Sequence, residues 1–335
     1  MKILVTGGLG YIGSHTVVEL INNKYEVVII DNLSNSELFI LDNIEKITGV
    51  RPIFYNQDLL DFIKTNEIFK KEKINGVIHF AAFKSVPESI KKPLLYYNNN
   101  LLSLINVLKC MQENTVSNIV FSSSCCVYGQ PDKLPVSENA SFKKADSPYA
   151  ESKQISEQII EDFVNSHNAI KSISLRYFNP VGAHESGLIG ELPIGVPDNL
   201  VPYITQTAAG IRTKLSVFGN NYNTKDGTAV RDYIHITDLA SAHLKAISRL
   251  LLKKSKSLYE FFNVGTGTGY SVLDVINSFE KVNSLKLNYS FKDRREGDIE
   301  EIYSDVKKSK NILEWESKKT LDEMMSSAWK WQKNL

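Results

Sequence analysis

A chain of 335 residues, 42% apolar and 23% charged, with a formal net charge of +1 from 39 Lys and Arg against 38 Asp and Glu, reads as two globular domains or one large elaborated domain. The balanced charge excludes nucleic acid as the main partner, because phosphate binding needs a basic excess on one face, and the Lys pairs at 70–71, 91–92, 143–144, 253–254 and 307–308 are scattered, solvated surface. No apolar stretch approaches the roughly 18 residues that cross a bilayer, the run after Lys2 stops at Thr6-Gly7, short of a secretion signal, and Cys110, Cys125 and Cys126 are too few for a disulfide framework, so a cytoplasmic protein without membrane association is expected.

In chain order, β-branched runs at 2–6, 26–30, 52–55, 76–79, 118–122 and 172–175 alternate with helical stretches at 11–22, 60–71, 93–112 and 148–166. Such alternation predicts an α/β protein with a doubly wound parallel sheet, helices lying on both faces. After Phe178 the pattern changes: 180–199 carries Gly182, Gly187, Gly190, Pro193, Gly195 and Pro197 and reads as an irregular loop. A helix at 200–210, a strand at 215–218 and a Gly/Asn/Asp-rich loop at 219–227 follow. The expected division is a dinucleotide-binding domain over 1–178, with a later strand and helix near 234–263 returning to it, and a smaller C-terminal α/β substrate lobe over 179–335.

The first strand runs into Thr6-Gly7-Gly8-Leu9-Gly10-Tyr11-Ile12-Gly13. Gly7, Gly10 and Gly13 suit a strand-to-helix turn where backbone approaches a pyrophosphate and the helix N-terminus supplies N–H groups, the Rossmann arrangement; taken alone, the spacing also fits a tight structural turn. Asp31 ends the second strand about 20 residues on, where a carboxylate accepts from ribose hydroxyls and repels a 2′-phosphate. Residues 32–38 hold no Arg or Lys, which favours NAD over NADP. Asp58, after the third strand, fits an adenine contact or a helix cap equally.

The fifth strand leads into Ser122-Ser123-Ser124, and a later helix opens with Asp146-Ser147-Pro148-Tyr149, Ser147 or Asp146 being the cap. Tyr149 and Lys153 are four apart and share a helix face. Lowering a tyrosine from pKa about 10 to about 7 takes about 4 kcal/mol, and one cation about 4 Å away at an effective dielectric of about 20 supplies roughly that. Ser124 can hold or relay the proton of the same substrate hydroxyl. In a Lys-rich chain an isolated Tyr-x-x-x-Lys match is weak, and its place after a dinucleotide turn and a serine-ended strand makes it specific.

These residues, with HFAAFKSVPES at 79–89, LRYFNPVGAH at 175–184, VRDYIH at 230–235, RREGD at 294–298 and TLDEMMSSAWKWQ at 320–332, make the chain resemble the extended short-chain dehydrogenase/reductases nearly end to end. The resemblance implies NAD contacts from Tyr11, Ile12, Asp31, Asn32, Asn35, Ser36, Asp58, Leu59, Phe80, Ala81, Lys84, Asn99, Ser122, Tyr149, Lys153 and Phe178. It implies a UDP-sugar site from Ser124, Asn179, Asn199, Leu200, Phe218, Arg231, Arg295 and Asp298, the arginines being apt forks for a diphosphate. The activity implied is reversible inversion at C4 of UDP-glucose and UDP-galactose: Tyr149 takes the 4-hydroxyl proton, hydride passes to NAD⁺, and a transient 4-keto sugar turns over before hydride returns to its other face from enzyme-bound NADH.

Two rivals are a nucleotide-sugar 4,6-dehydratase and a non-catalytic NAD-sensing scaffold. Related dehydratases carry Asp-Glu where this chain has Cys125 and Cys126, which read as small core residues, and a scaffold need not keep Ser124, Tyr149, Lys153 and both arginines together. The family's gate beside the sugar 2-substituent falls on Ile302, neither a large aromatic nor a small residue; Tyr303 adjoins it, and unacetylated sugars are expected. The resemblance also implies a homodimer through the helices from Pro93 and Pro148, although the stripe Leu101, Leu102, Ile105 and Leu108 fits core packing equally well. His15, His79, His167, His184, His235 and His243 show no zinc-site spacing, so no metal is expected.

Overall fold

β1 (Lys2–Thr6) is covered on both faces, with Ile3, Leu4 and Val5 at 0% exposure, the condition of a central parallel strand. After it come α1 (Tyr11–Asn22), β2 (Glu26–Asp31), α2 (Phe39–Thr48), β3 (Ile53–Asn56), α3 (Phe62–Glu72), β4 (Gly76–His79), α4 (Val86–Lys91), α5 (Pro93–Glu113), β5 (Asn118–Ser124), α6 (Pro148–Ser166) and β6 (Lys171–Tyr177). The remainder holds β7 (Asn179–Val181), α7 (Leu200–Ala208), β8 (Leu215–Phe218), β9 (Val230–Arg231), β10 (Tyr233–His235), α8 (Ile236–Leu251) and β11 (Tyr259–Val264). It ends with β12 (Tyr270–Ser271), α9 (Val272–Asn283), β13 (Tyr289–Lys292), β14 (Glu301–Ile302) and α10 (Leu321–Lys333). The structure, a computed structural model, describes residues 1–295 and 298–335; Glu296 and Gly297 of the RREGD segment lie outside the described residues.

Seven strands pair in parallel in the order β11-β6-β5-β4-β1-β2-β3. The order reverses between β1 and β4, which opens a crevice at their C-terminal ends. One face of the sheet buries Val17, Leu20, Ile44, Leu239 and Ile247 of α1, α2 and α8, and the other buries Phe69, Leu104, Val107, Ile160 and Val164 of α3, α5 and α6. β11 extends the sheet beside β6, and α8 packs on α1, although both follow β7, α7, β8, β9 and β10 in the chain. A third core joins Ile204, Val275, Phe279, Met324 and Met325 of α7, α9 and α10 beneath the parallel pair β8 and β13. No helix among the described residues is long and apolar enough to cross a membrane.

Several sequence expectations need correction. α2 and α4 were not anticipated, α4 because it is only six residues long. β5 continues through Ser124 because Ser122, Ser123 and Ser124 pair with Leu175, Arg176 and Tyr177. The segment 180–199 opens in strand, since β7 pairs with β10. Asp61, whose side chain accepts from Lys64 N, caps α3, so Asp58 is not the cap; Ser147 rather than Asp146 caps α6. The Leu101 to Leu108 stripe divides: Leu108 is in the core, while Leu102 is exposed.

Burial drives the imidazoles of His15 and His79 down to about 3 and those of His235 and His243 to about 4. Each stays neutral in the fold while the unfolded chain protonates near 6.5. Their contribution is therefore complete above pH 6.5 and is lost as pH falls toward 4, at up to about 1.4 kcal/mol per pH unit for each histidine. Urea unfolding followed at pH 7.5, 6 and 5 should show a progressive fall in the midpoint with a net uptake of about four protons on unfolding at the acid end.

Candidate active site

The glycine turn is closed by close approaches that exclude side chains. Gly7 has φ of +67°, and a Cβ there would stand 2.9 Å from the Ala81 amide nitrogen; one at Gly13 would stand 2.2 Å from the Gly7 carbonyl oxygen. At Gly10 a Cβ would meet only that carbonyl, at 3.3 Å, so this glycine fronts open space. Gly10 is also the N-cap of α1, with no side-chain cap, which leaves first-turn N–H groups free for an anion. Asp31 fastens the turn to β2: its carboxylate accepts from Leu9 N at 3.0 Å, Leu33 N at 3.0 Å and Ser36 Oγ at 2.8 Å.

A cleft starts here, lined by Gly7, Asp31, Asn32, Asn35, Ser36, Asp58, Leu59, Phe80, Ala81 and Asn99, all expected from sequence, and by Ile30, Ser34, Gln57, Ala82, Phe83 and Ser103, which were not. Asp58 accepts from Leu60 N and Asn32 Nδ2. Tyr11 spends its hydroxyl on the Gly182 carbonyl at 2.7 Å, and Ile12 packs on the core, so both can offer the cleft only backbone. Lys84 Nζ and Asn199 Nδ2 both donate to Glu191 Oε1, at 2.9 and 2.7 Å, joining the two sides of the molecule; Glu191 gave no sequence signal. With the uncapped helix end, the Asp31 carboxylate and the glycine-only approaches, the cleft fits a dinucleotide.

At its inner end the strand β5 and the helix α6 converge. Lys153 Nζ, 4% exposed as a residue, donates to the Ser122 carbonyl at 2.7 Å, lies 4.9 Å from the Phe121 ring centre and 6.0 Å from that of Tyr149. Ser124 Oγ accepts from Cys126 N at 3.3 Å and is near enough to the Tyr149 phenol to act on its ionisation. Tyr177 meets Ser122 Oγ from β6. Burial pushes the Tyr149 hydroxyl well above its ordinary value, helped by Cys126 and Tyr177 and opposed by Ser124, and pushes Lys153 down to about 8, opposed by Cys126 and Glu157. The Ser122 carbonyl fixes where the ammonium rests on the helix face that Lys153 shares with Tyr149. Burial also raises the Cys125 and Cys126 thiols to about 12 and 11.

The second side of the cleft carries the remaining expected residues. Arg231 Nη2 approaches Asp298 Oδ1 at 3.4 Å, and the Arg295 guanidinium lies 4.0 Å from the Phe218 ring centre. Arg294 lies 4.0 Å from the Tyr222 ring, so Arg231, Arg294 and Arg295 account for three of the chain's seven arginines. Asn179 Oδ1 is buried without a hydrogen-bond partner among the described residues. Asn199, the N-cap of α7, does not cap it, so the N–H groups at Leu200 stay available. Ile302 pairs with Arg231 and is buried against Phe178 and Tyr128, whereas the Tyr303 ring turns to Gly269; of the two, Ile302 is the one beside Phe178.

The chain matches the family model described as GDP-mannose 4,6 dehydratase over residues 4–328. It is 49% identical over 332 residues to a UDP-glucose 4-epimerase of Bacillus subtilis, covering 99% of this chain and 97% of that protein. Among solved structures it superposes on a UDP-glucose 4-epimerase of Stenotrophomonas maltophila with bound NAD and formylated UDP-arabinopyranose, at TM-score 0.96 and 43% identity, covering 100% of this chain and 98% of that one. The enzyme of Bifidobacterium longum in complex with NAD⁺ and UDP gives 0.95 and 43% with the same coverage. With so many full-length relatives of one activity on the fold and cleft described above, the chain belongs to the UDP-glucose 4-epimerase family of the extended short-chain dehydrogenase/reductases.

Proposed function

We infer that this protein interconverts UDP-glucose and UDP-galactose by inverting C4 of the sugar, with NAD as resident cofactor. The observation that carries the reading is the convergence of Tyr149, Lys153 and Ser124 at the end of a cleft fit for a dinucleotide, within a chain 49% identical to an epimerase along its whole length. Residues 1–178 with 234–263 hold the cofactor in this reading, and the rest holds the UDP-sugar. Asp31 and the α1 N-terminus take the adenosine ribose and the pyrophosphate, with Asn32, Asn35, Ser36, Asp58, Leu59, Phe80, Ala81, Lys84, Asn99, Ser122 and Phe178 along the same path. Lys84 must leave Glu191 to reach a ligand, and so must Asn199.

NAD supplies, when bound, a hydride acceptor and a positively charged ring. Tyr149 is the base at the 4-hydroxyl, and Ser124 holds that hydroxyl while its proton moves. Lys153 supplies part of the stabilisation that the phenolate needs against burial, and the charged ring adds to it. Arg231 and Arg295 grip the diphosphate as forks, and Asn179, Asn199, Leu200, Phe218 and Asp298 fix the rest of the nucleotide and sugar. Since the family model is described as a 4,6-dehydratase, that chemistry is the competing reading; it needs an acid and a base where the Cys125 and Cys126 thiols are held neutral by burial, so epimerisation is favoured.

Ile302 beside Phe178 leaves the gate filled by a branched side chain, which favours sugars without an N-acetyl group. The homodimer is proposed through α5 and α6, where Leu94, Leu95 and Leu102 are exposed, and the site of action is the cytoplasm; gel filtration with light scattering measures the first.

Incubated with UDP-galactose, the protein should form UDP-glucose, detected with UDP-glucose dehydrogenase, and no 4-keto-6-deoxy sugar; the latter product would establish the dehydratase instead, and no reaction the scaffold. Rates on UDP-N-acetylgalactosamine should be at least about tenfold lower, since a misfit of methyl size in a packed site is worth about 1–3 kcal/mol. Tyr149→Phe should lower kcat by about 10² to 10⁴-fold while UDP affinity, measured by calorimetry, stays nearly unchanged.

A further inference from the structure

One turn beyond Lys153 on α6 lies Glu157, 3% exposed, in a position no ligand contact explains. Tyr149, Lys153 and Glu157 are spaced four apart and face the sheet together. The Glu157 carboxylate collects three strands. Ser123 Oγ of β5 donates to Oε1 at 2.5 Å, Arg176 of β6 donates through Nε and Nη2 at 2.9 and 2.5 Å, and the Tyr259 hydroxyl of β11 donates to Oε2 at 3.0 Å. Arg176 is directly opposite Ser123 in the β5–β6 ladder. Ser123 points to the opposite face of the strand from its two neighbours. Consecutive residues of β5 therefore hold consecutive turns of α6: the Ser122 carbonyl holds Lys153, and the Ser123 hydroxyl holds Glu157.

We propose that Glu157 is a positioning residue, which through Ser123 locks the catalytic helix to the catalytic strand and so fixes Tyr149 and Lys153 against Ser124. This rests on the epimerase reading of the site. Neither Ser123 nor Glu157 touches the cleft, so the effect is on geometry and charge at one remove. The groups facing Lys153 and Tyr149 are His79 from β4, Cys125 and Cys126 after β5, Tyr177 from β6 and Glu157 from α6 itself. Burial keeps His79 down at about 3, the two thiols up at about 12 and 11 and Tyr177 up at about 12. Among the described residues acting on Lys153, Glu157 is then the carboxylate that opposes loss of its proton.

Removing Glu157 itself would strand the Arg176 guanidinium in the interior and threaten folding, so the informative variant is Ser123→Ala, which leaves that ion pair whole. In the full-length protein loaded with NAD, Ser123→Ala should lower kcat for UDP-galactose by about 10 to 10²-fold, the effect of a small misplacement. KM should stay within about twofold, and the rising limb of the kcat–pH profile should move up by about half a unit as Lys153 and Tyr149 lose register. Ser123→Thr, which keeps the hydroxyl, should restore rate and profile. An unchanged kcat and pH limb in Ser123→Ala overturns the proposal, as does a loss of rate that follows a lowered melting temperature with the limb unmoved. Wild-type protein that fails to turn over UDP-galactose would instead overturn the epimerase reading.

Discussion

Seven strands running the same way impose one condition on everything else: each strand ends on the same edge of the sheet. The glycine turn after β1, Asp31 at the end of β2, Phe80 and Ala81 after β4 and the serines ending β5 are all consequences of it. Parallel pairing also demands a crossover between neighbours, so each crossover helix begins near that edge, and α1 and α6 present their first turns there. Tyr149, at the second position of α6, comes to Ser124 by this route, although 25 residues separate them in the chain. Reversal of strand order between β1 and β4 leaves the edge uncovered at one place, and the cleft is there.

The interior of that cleft is unusual in how few of its titratable groups are charged. Burial holds His79, Cys125, Cys126 and Tyr177 neutral around a single ammonium, Lys153. A cation in such surroundings is little screened, and its effect on a neighbouring phenol is larger than it would be in water. The same low polarity makes the ammonium itself costly, which is why Lys153 is drawn down to about 8 and gives a hydrogen bond to the Ser122 carbonyl. Charge in the C-terminal half is arranged differently: Arg294 and Arg295 lie over aromatic rings and Arg231 beside Asp298, settings that suit a planar guanidinium.

Much of this could be read from the residues. Periodicity gave β1 to β6 and the helices α1, α3, α5 and α6 with ends displaced by no more than two residues, because the strands are short β-branched runs and Pro93 and Pro148 mark helix starts. The serine-tipped strand and the Tyr149/Lys153 spacing carried the site. What stayed hidden depends on contacts distant in sequence. Glu191 meets Lys84 across 107 positions, and Glu157 meets Ser123 across 34. An isolated Glu at either place looks like any surface acid until the fold removes it from water. Spacing places Lys153 on the helix face shared with Tyr149, while the backbone carbonyl that holds its ammonium, Ser122 of β5, is visible only in the fold.

β11 and α8 return to the sheet only after the chain has left it to build β7, α7, β8, β9 and β10. β6 gains its outer neighbour only when Tyr259–Val264 arrive, and the face of α1 that bears Val17 and Val18 is covered by α8. A chain emerging from the ribosome therefore cannot complete its seven-stranded sheet before about residue 264 is free, with β6 meanwhile an unpaired edge. The two halves of the molecule therefore form one unit of folding, and a fragment cut at the boundary between them would be left with an unfinished sheet.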